Sequence, residues 1–253
     1  MNKIITICLC LWTGSITYAQ TVAQTSQENQ LWLGYFNQTR FTDKWGLWLD
    51  LHYRTTNHYI NDASKALGRV ALTYYLTNDV KLSNGYEYTN HFPDEGHANI
   101  SQPEHRIWQQ VQYHGQLSKA KTMSWVRLEE RFRHRLKNDS ELGEGYKFDI
   151  RLRSNFLVSI PLSKKGFAPN TLAAVASDEI FINFPTADTR GTYFPFDQNR
   201  FFVGLAYYFT KSSYIQAGYS NVYQQVVADT KFKNIDTIRV FYFQNLDLRK
   251  KKL

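Results

Sequence analysis

Between Trp125 and Asn155 the chain places an ionisable residue at almost every second position. Arg127, Glu129, Arg131, Arg133 and Arg135 come first; after a polar loop come Lys147, Asp149, Arg151 and Arg153. The residues between them are largely apolar: Val126, Leu128, Phe132 and Leu136 in the first row, then Tyr146, Phe148, Ile150, Leu152 and Phe156 in the second. Strict alternation puts the charges on one face of a strand and the apolar residues on the other. A helix, with its period of about 3.6 residues, would mix the two sets. Two such strands side by side can pair guanidinium with carboxylate across the ladder. Glu179 and Arg200, at charged positions of later segments, join Arg127, Glu129, Arg131, Arg133, Lys147, Asp149, Arg151 and Arg153 in one expected interior network. Two chemistries suit that set. One is a salt-bridged filling in which each buried charge has a partner. The other is a basic constriction that selects anionic solutes.

Other constellations point to chemistry less directly. The stretch His91-Phe92-Pro93-Asp94-Glu95-Gly96-His97 mixes imidazole and carboxylate, which are ligand types for a divalent ion. It is read as a polar loop, with no metal or other cofactor assigned. His52, His105 and His114 fall on expected strands with no serine within two residues, and no Gly-x-Ser-x-Gly elbow occurs. No catalytic residue is assigned. A lipid-acting hydrolase, with serine activated by histidine across strands, is the alternative enzyme reading.

The strands that carry the charged rows run well past the usual five or six residues, and about 9–11 tilted residues cross a bilayer. Trp45–Thr56 has the cleanest pattern, with Trp45, Leu47, Leu49, Leu51 and Tyr53 opposing Gly46, Trp48, Asp50, His52 and Arg54. Its apolar face is aromatic at both ends, as interfacial belts require. Eleven segments of this kind follow one another from about residue 30 to 248. Short turns follow odd-numbered segments, and mostly longer loops follow even-numbered ones. The fold expected is all-β: an antiparallel up-and-down transmembrane β-barrel, charged face inward. Single-chain bacterial barrels normally have an even strand count. The expectation is therefore about 12 strands, with 10 the alternative, and residues 20–29 could hold the missing one. A soluble lipocalin-like barrel would turn the apolar face inward, and a β-sandwich would use shorter strands.

Met1-Asn2-Lys3, an apolar run from Ile4 to Trp12 and Thr17-Tyr18-Ala19 form a charged start, a short apolar core and a small residue at a cut site. Residues 1–19 are read as a signal peptide and 20–253 as a single barrel domain. The only cysteines, Cys8 and Cys10, lie in that leader, so the exported part has no disulfide, reactive thiol or cysteine ligand. The 17 Tyr and 17 Phe suit strands and interfacial girdles. The formal charge of +8 is not read as a nucleic-acid surface, because the basic residues alternate with apolar ones rather than forming a patch.

Asp178-Glu179-Ile180-Phe181-Ile182-Asn183, Phe196-Asp197-Gln198-Asn199-Arg200 followed by Gly204 and Tyr207, and the Trp32 and Trp45 pair resemble the signatures of domain of unknown function family 2490. The resemblance covers nearly all of the chain after the leader. It implies an outer-membrane β-barrel of Gram-negative, often Bacteroidetes, bacteria, and it implies no activity. The ending Leu248-Arg249-Lys250-Lys251-Lys252-Leu253 departs from the aromatic terminal residue common in such barrels. The function expected is non-enzymatic: an outer-membrane barrel with a basic, largely ion-paired interior and a structural or limited passage role. An anion-selective channel is the alternative. The partners expected are outer-membrane lipid and small anionic solutes, with no nucleic acid.

Overall fold

The computed structural model describes residues 24–93, 99–189, 194–227 and 231–249. The expected leader, Asp94 to His97 of the mixed loop and the last four residues lie outside that set. The described residues form eleven strands: β1 (Gln24–Arg40), β2 (Trp45–Thr56), β3 (Asp62–Tyr75), β4 (Val80–His91), β5 (Gln102–Leu117), β6 (Ala120–Asn138), β7 (Glu141–Pro161), β8 (Thr171–Phe184), β9 (Phe196–Tyr208), β10 (Ser213–Val227) and β11 (Lys231–Asp247). One short 3-10 turn, Ala187–Thr189, lies between β8 and β9.

Each strand pairs with its neighbours in sequence, and β1 pairs with β11 to close a barrel. The count falls one short of the expected 12, and the ladder is not antiparallel throughout. Residues 24–29 form no extra strand; they lengthen β1 at its start. With an odd count the first and last strands run the same way, so the closing pair is parallel. It is in register from Gln24 opposite Lys231 to Arg40 opposite Asp247.

Connections after odd-numbered strands gather at one end, here the turn end, and β11 also finishes there. Three of these turns share one local solution. Thr42, Thr77 and Thr210 each accept at Oγ1 the backbone N–H three residues on, at 3.0, 3.0 and 2.9 Å. The residue before each threonine donates to the carbonyl four residues on. A side chain that hydrogen-bonds its own turn is why threonine recurs there. Connections after even-numbered strands emerge at the opposite, loop end. The β6–β7 hairpin, with strands of 19 and 21 residues, reaches beyond its neighbours there.

The faces divide as the alternation requires. Along β2, exposed and buried residues alternate from Trp45 to Arg54. Leu49, Leu72 and Leu205 point outward and are 37%, 53% and 48% exposed, whereas Asp50, Glu104 and Glu129 point inward and are fully buried. Ile150, on β7, is half-buried. The exterior is thus a hydrocarbon surface and the interior an ionic one, the reverse of a water-soluble barrel. Aromatics gather at both ends of the outer surface. Trp45 packs edge-on to Tyr74 near the turn end. Tyr88 and Tyr146 flank His105 near the loop end.

Candidate functional site

An eight-stranded barrel is just wide enough to be filled by ordinary side chains. Eleven strands enclose more space, and long side chains occupy it here. Arginine reaches furthest across a lumen, but each guanidinium needs acceptors once it is out of water. The inward positions supply them in two chains of ion pairs that cover most of the barrel and approach each other at Arg106 and Glu129, 4.0 Å apart.

The first chain starts on β2. Asp50 accepts from Trp48 Nε1 at 2.6 Å and pairs with Arg69 Nε of β3 at 2.9 Å. Arg69 also meets Glu87 of β4 at 3.1 Å. Glu87 takes Arg106 Nη1 of β5 at 2.5 Å, and Arg106 Nε turns back to Glu104 at 2.6 Å. Glu104 further receives Arg131 at 2.6 Å and Arg133 at 3.0 Å, both from β6, and pairs with His91 at 2.8 Å. In the second, Glu129 of β6 holds Arg151 at 2.6 Å and Arg153 at 2.5 Å, both from β7. Arg151 continues to Asp197 of β9 at 2.7 Å, and Arg153 to Glu179 of β8 at 2.5 Å. One carboxylate shared by several guanidiniums recurs, because cross-strand registers such as Glu129 opposite Arg151 bring neighbouring inward rows together.

Of the ten residues expected in the network, Glu129, Arg131, Arg133, Arg151, Arg153 and Glu179 are joined by close ion pairs. Arg127 is only at the edge of pairing, 3.9 Å from Glu129. It is held instead by Gln110 at 2.8 Å and by the Trp108 ring at 4.2 Å. Arg200 has no ion pair among the described residues; it donates to Gln198 at 3.0 Å and stacks on Phe181 at 4.4 Å. Lys147 and Asp149 line the loop-end cavity without an ion pair among the described residues.

The expected set was also too small. Asp50, Arg69, Glu87, Glu104, Arg106 and Asp197 carry as much of the chains of contacts. All but Asp197 occupy the inward parity of their strands, so parity alone would have found them; Asp197 is out of step with Gln198 and Arg200 and is turned inward where the β8–β9 register shifts between Phe181 and Ile182. They lack the dense charge row that marks β6 and β7.

Two cavities flank this filling. One, of about 470 Å³, opens at the loop end and includes Lys65, Arg133, Lys147 and Asp149 in its wall. The other, of about 420 Å³, lies toward the turn end, walled by aromatic rings such as Phe36, Trp48, Tyr214 and Phe243. Among the described residues, only Trp32, Arg54, Arg69, Arg153 and Arg200 border both. These five side chains form the neck between them. Trp32 lies at its centre, with Arg54 Cζ 3.7 Å and Arg200 Cζ 5.0 Å from the ring centroid.

The histidines separate by face. His52, His91 and His114 point inward and meet Asp50, Glu104 and Gln112. His105 points outward near the loop end, where its Nδ1 lies 2.6 Å from the Tyr86 hydroxyl. No group of three or more His, Cys, Asp or Glu with metal-binding geometry occurs among the described residues. Asp94, Glu95 and His97 of the mixed loop are not among them.

A family model described as a protein of unknown function (DUF2490) matches residues 29–233. The chain belongs to the DUF2490 family. No curated protein and no solved structure matches it. The two short stretches that carry the resemblance have a structural reason to be distinctive in this DUF2490 barrel. Asp178–Asn183 delivers Glu179 to Arg153, and Phe196–Arg200 delivers Asp197 to Arg151 and Arg200 to the neck.

Proposed function

We propose that this DUF2490 protein is an outer-membrane β-barrel whose lumen is closed by an ion-paired filling, with a structural or limited small-solute passage role. The observation that carries the reading is the inside-out distribution of polarity. Carboxylates and arginines are buried within, and leucine, valine, phenylalanine and tyrosine are exposed without. Water has no use for such an exterior, and hydrocarbon has. By the usual asymmetry of outer-membrane barrels, the turn end faces the periplasm and the loop end the exterior.

The neck supports closure rather than free passage. Glu129 and Glu179 tie Arg153 across it, and Trp32 fills the space between Arg54 and Arg200. What does pass is small and preferentially anionic, because Arg54 and Arg200 at the neck have no carboxylate partner among the described residues. The test is fractionation of the full-length chain expressed in a Gram-negative host, followed by planar-bilayer conductance of the detergent-purified barrel. Recovery with outer membranes and a small or absent current are expected. Recovery in the soluble periplasm would sink the barrel-in-membrane reading. A large anion-selective current would replace the filled barrel by the open anion channel.

A further inference from the structure

The turn-end cavity differs chemically from the rest of the lumen. One wall is an aromatic stack. Ring centroids of Tyr208 and Tyr214 lie 4.9 Å apart with the planes inclined by 28°, and those of Tyr214 and Phe243 and of Phe243 and Phe36 lie 4.7 Å apart and close to parallel. Rings from β9, β10, β11 and β1 thus form a continuous apolar surface across the barrel seam. Arg40, Lys121 and Asp247, at or beside the ends of their strands, also border the cavity, so it reaches the turn-end rim.

At its inner end the cavity meets cations that the ionic chains do not neutralise. Arg239 lies over Phe202, with Cζ 3.4 Å from the ring centroid, and donates through Nη2 to Gln216 at 2.8 Å. Its Nε is buried without a hydrogen-bond partner, and it has no carboxylate partner among the described residues. Arg54, also on this cavity, has a buried unpartnered Nε as well. The seat of Arg239 is built in. Gly204 and Gly218 face each other across β9 and β10. A Cβ on Gly204 would come within 2.7 Å of Phe202 Cζ, and one on Gly218 within 3.0 Å of Phe202 Cε2. Glycine at both positions lets the Phe202 ring lie flat under the guanidinium. A buried donor left without an acceptor is costly, and a site that keeps one is arranged for an incoming group.

We propose that the turn-end chamber binds a small organic anion with an apolar body, of the aryl- or alkyl-carboxylate class. The carboxylate meets Arg239 and Arg54, and the body lies along the aromatic stack. The volume, about 420 Å³, is that of an ordinary small-molecule site, and an apolar wall with a few placed polar groups is the usual composition of one. An inorganic anion would leave the aromatic wall unused, and an uncharged analogue would leave the guanidiniums unpaired.

The experiment is isothermal titration of 4-phenylbutyrate into the full barrel in lipid nanodiscs, with empty nanodiscs as the blank. The uncharged amide of the same acid and sodium acetate serve as comparison ligands. Saturable one-to-one binding of the acid is expected, with the amide at least about tenfold weaker, the worth of a buried charge-assisted hydrogen bond. Acetate should give no saturable heat. Arg239→Gln should lower affinity for the acid and leave that for the amide unchanged, and Arg239→Lys should retain more than Arg239→Gln. Equal affinity of acid and amide for the wild-type barrel would overturn the proposal, and so would saturable acetate binding or the lack of any saturable heat. The wild-type comparison decides the matter even if a variant fails to assemble. The binding result is also separate from conductance, so a silent barrel that binds the acid keeps the site, and a conducting barrel that does not bind it loses the site.

Discussion

Arg153 joins Glu129 and Glu179, its Nη1 2.5 Å from Glu129 and its Nε 2.8 Å from Glu179. The three side chains come from β7, β6 and β8, so one guanidinium ties three adjacent strands together at the neck of the lumen. Neither carboxylate depends on Arg153 equally. Glu129 also holds Arg151, whereas both Arg153 contacts to Glu179 fall on a single oxygen.

Removing one charge from this knot leaves the others buried without compensation, which typically costs about 3–5 kcal/mol. Glu129→Gln is expected to lower the thermal unfolding midpoint in detergent more than Glu179→Gln, because it takes one of their carboxylate partners from two arginines instead of from one. In both variants planar-bilayer current should stay small, since the glutamine still occupies the space. If Glu179→Gln left stability unchanged and brought a large anion-selective current, water would have to solvate these arginines already, and the filled-lumen reading would fail.

Facing is testable apart from the charges. Leu49 is 37% exposed on the outer surface, while Gln110 is buried inside, donating to Gln112. A lysine near the midplane of a lipid-facing surface costs about 2–4 kcal/mol. Leu49→Lys should therefore reduce stability in a refolding titration into lipid vesicles by that order, and Gln110→Asn by much less. Comparable losses would mean the faces are assigned the wrong way round.

Beyond the last β7–β8 pair, Ile150 with Phe184, the exposed edge of β7 is closed by the 3-10 turn. Asp188 Oδ2 accepts the Phe148 N–H at 2.8 Å, and Thr186 Oγ1 donates to the Phe148 carbonyl at 2.8 Å. The Phe148 amide and then Arg135, whose Nη2 donates to Oδ1 at 2.6 Å, hold the Asp188 carboxyl below its ordinary pKa. A lowered folded-state pKa favours the clip above the ordinary carboxylate value, and the effect is lost as pH falls through the lowered value. Hydrogen exchange at the Phe148 amide should be slow near neutral pH. Relative to an Asp188→Ala barrel, which has no side-chain acceptor there, that protection should fade only as pH falls below the ordinary carboxylate value. Equal protection in the two proteins at neutral pH would show that the clip does not hold the strand edge.

The faces, the β6–β7 hairpin and most strand positions were legible in the sequence, because alternation is dictated by the strand itself. The alternation at Trp45–Thr56 marks a strand with the bounds that β2 has. The strand count and the register of the closing pair were not legible. Residues 24–29 are polar, and nothing local distinguishes a loose start from a strand paired 200 residues away with Lys231 to Asp236. Likewise, inward parity places Arg127 and Arg133 in the lumen, but it does not tell that Trp108 takes one and Glu104 the other. Those outcomes depend on the reach of side chains across the barrel. The full aromatic chamber was hidden for a related reason: Tyr208, Tyr214 and Phe243 pair across β9, β10 and β11, but Phe36 completes the stack only once the seam is closed.

The seam itself gives the sharpest test of the strand count. Leu31 of β1 stands opposite Ile238 of β11 in the parallel register, and Ile238 is 45% exposed on the outer surface. Directly paired strands lie about 4.7–4.9 Å apart, inside the separation of about 4.4–6.8 Å that a disulfide spans between Cα atoms. A twelfth strand between them would double that spacing and put the pair out of reach. The only cysteines of the chain are Cys8 and Cys10; with both replaced by serine, the introduced pair holds the only thiols of the chain. Leu31→Cys combined with Ile238→Cys is expected to cross-link under mild oxidation, shifting the mobility of the unfolded chain on a non-reducing gel. Leu31→Cys combined with Leu205→Cys of β9, two strands from the seam, should not. Absence of the first cross-link in a folded barrel, with both thiols still labelled by a maleimide, would break the eleven-stranded closure and restore a count of twelve.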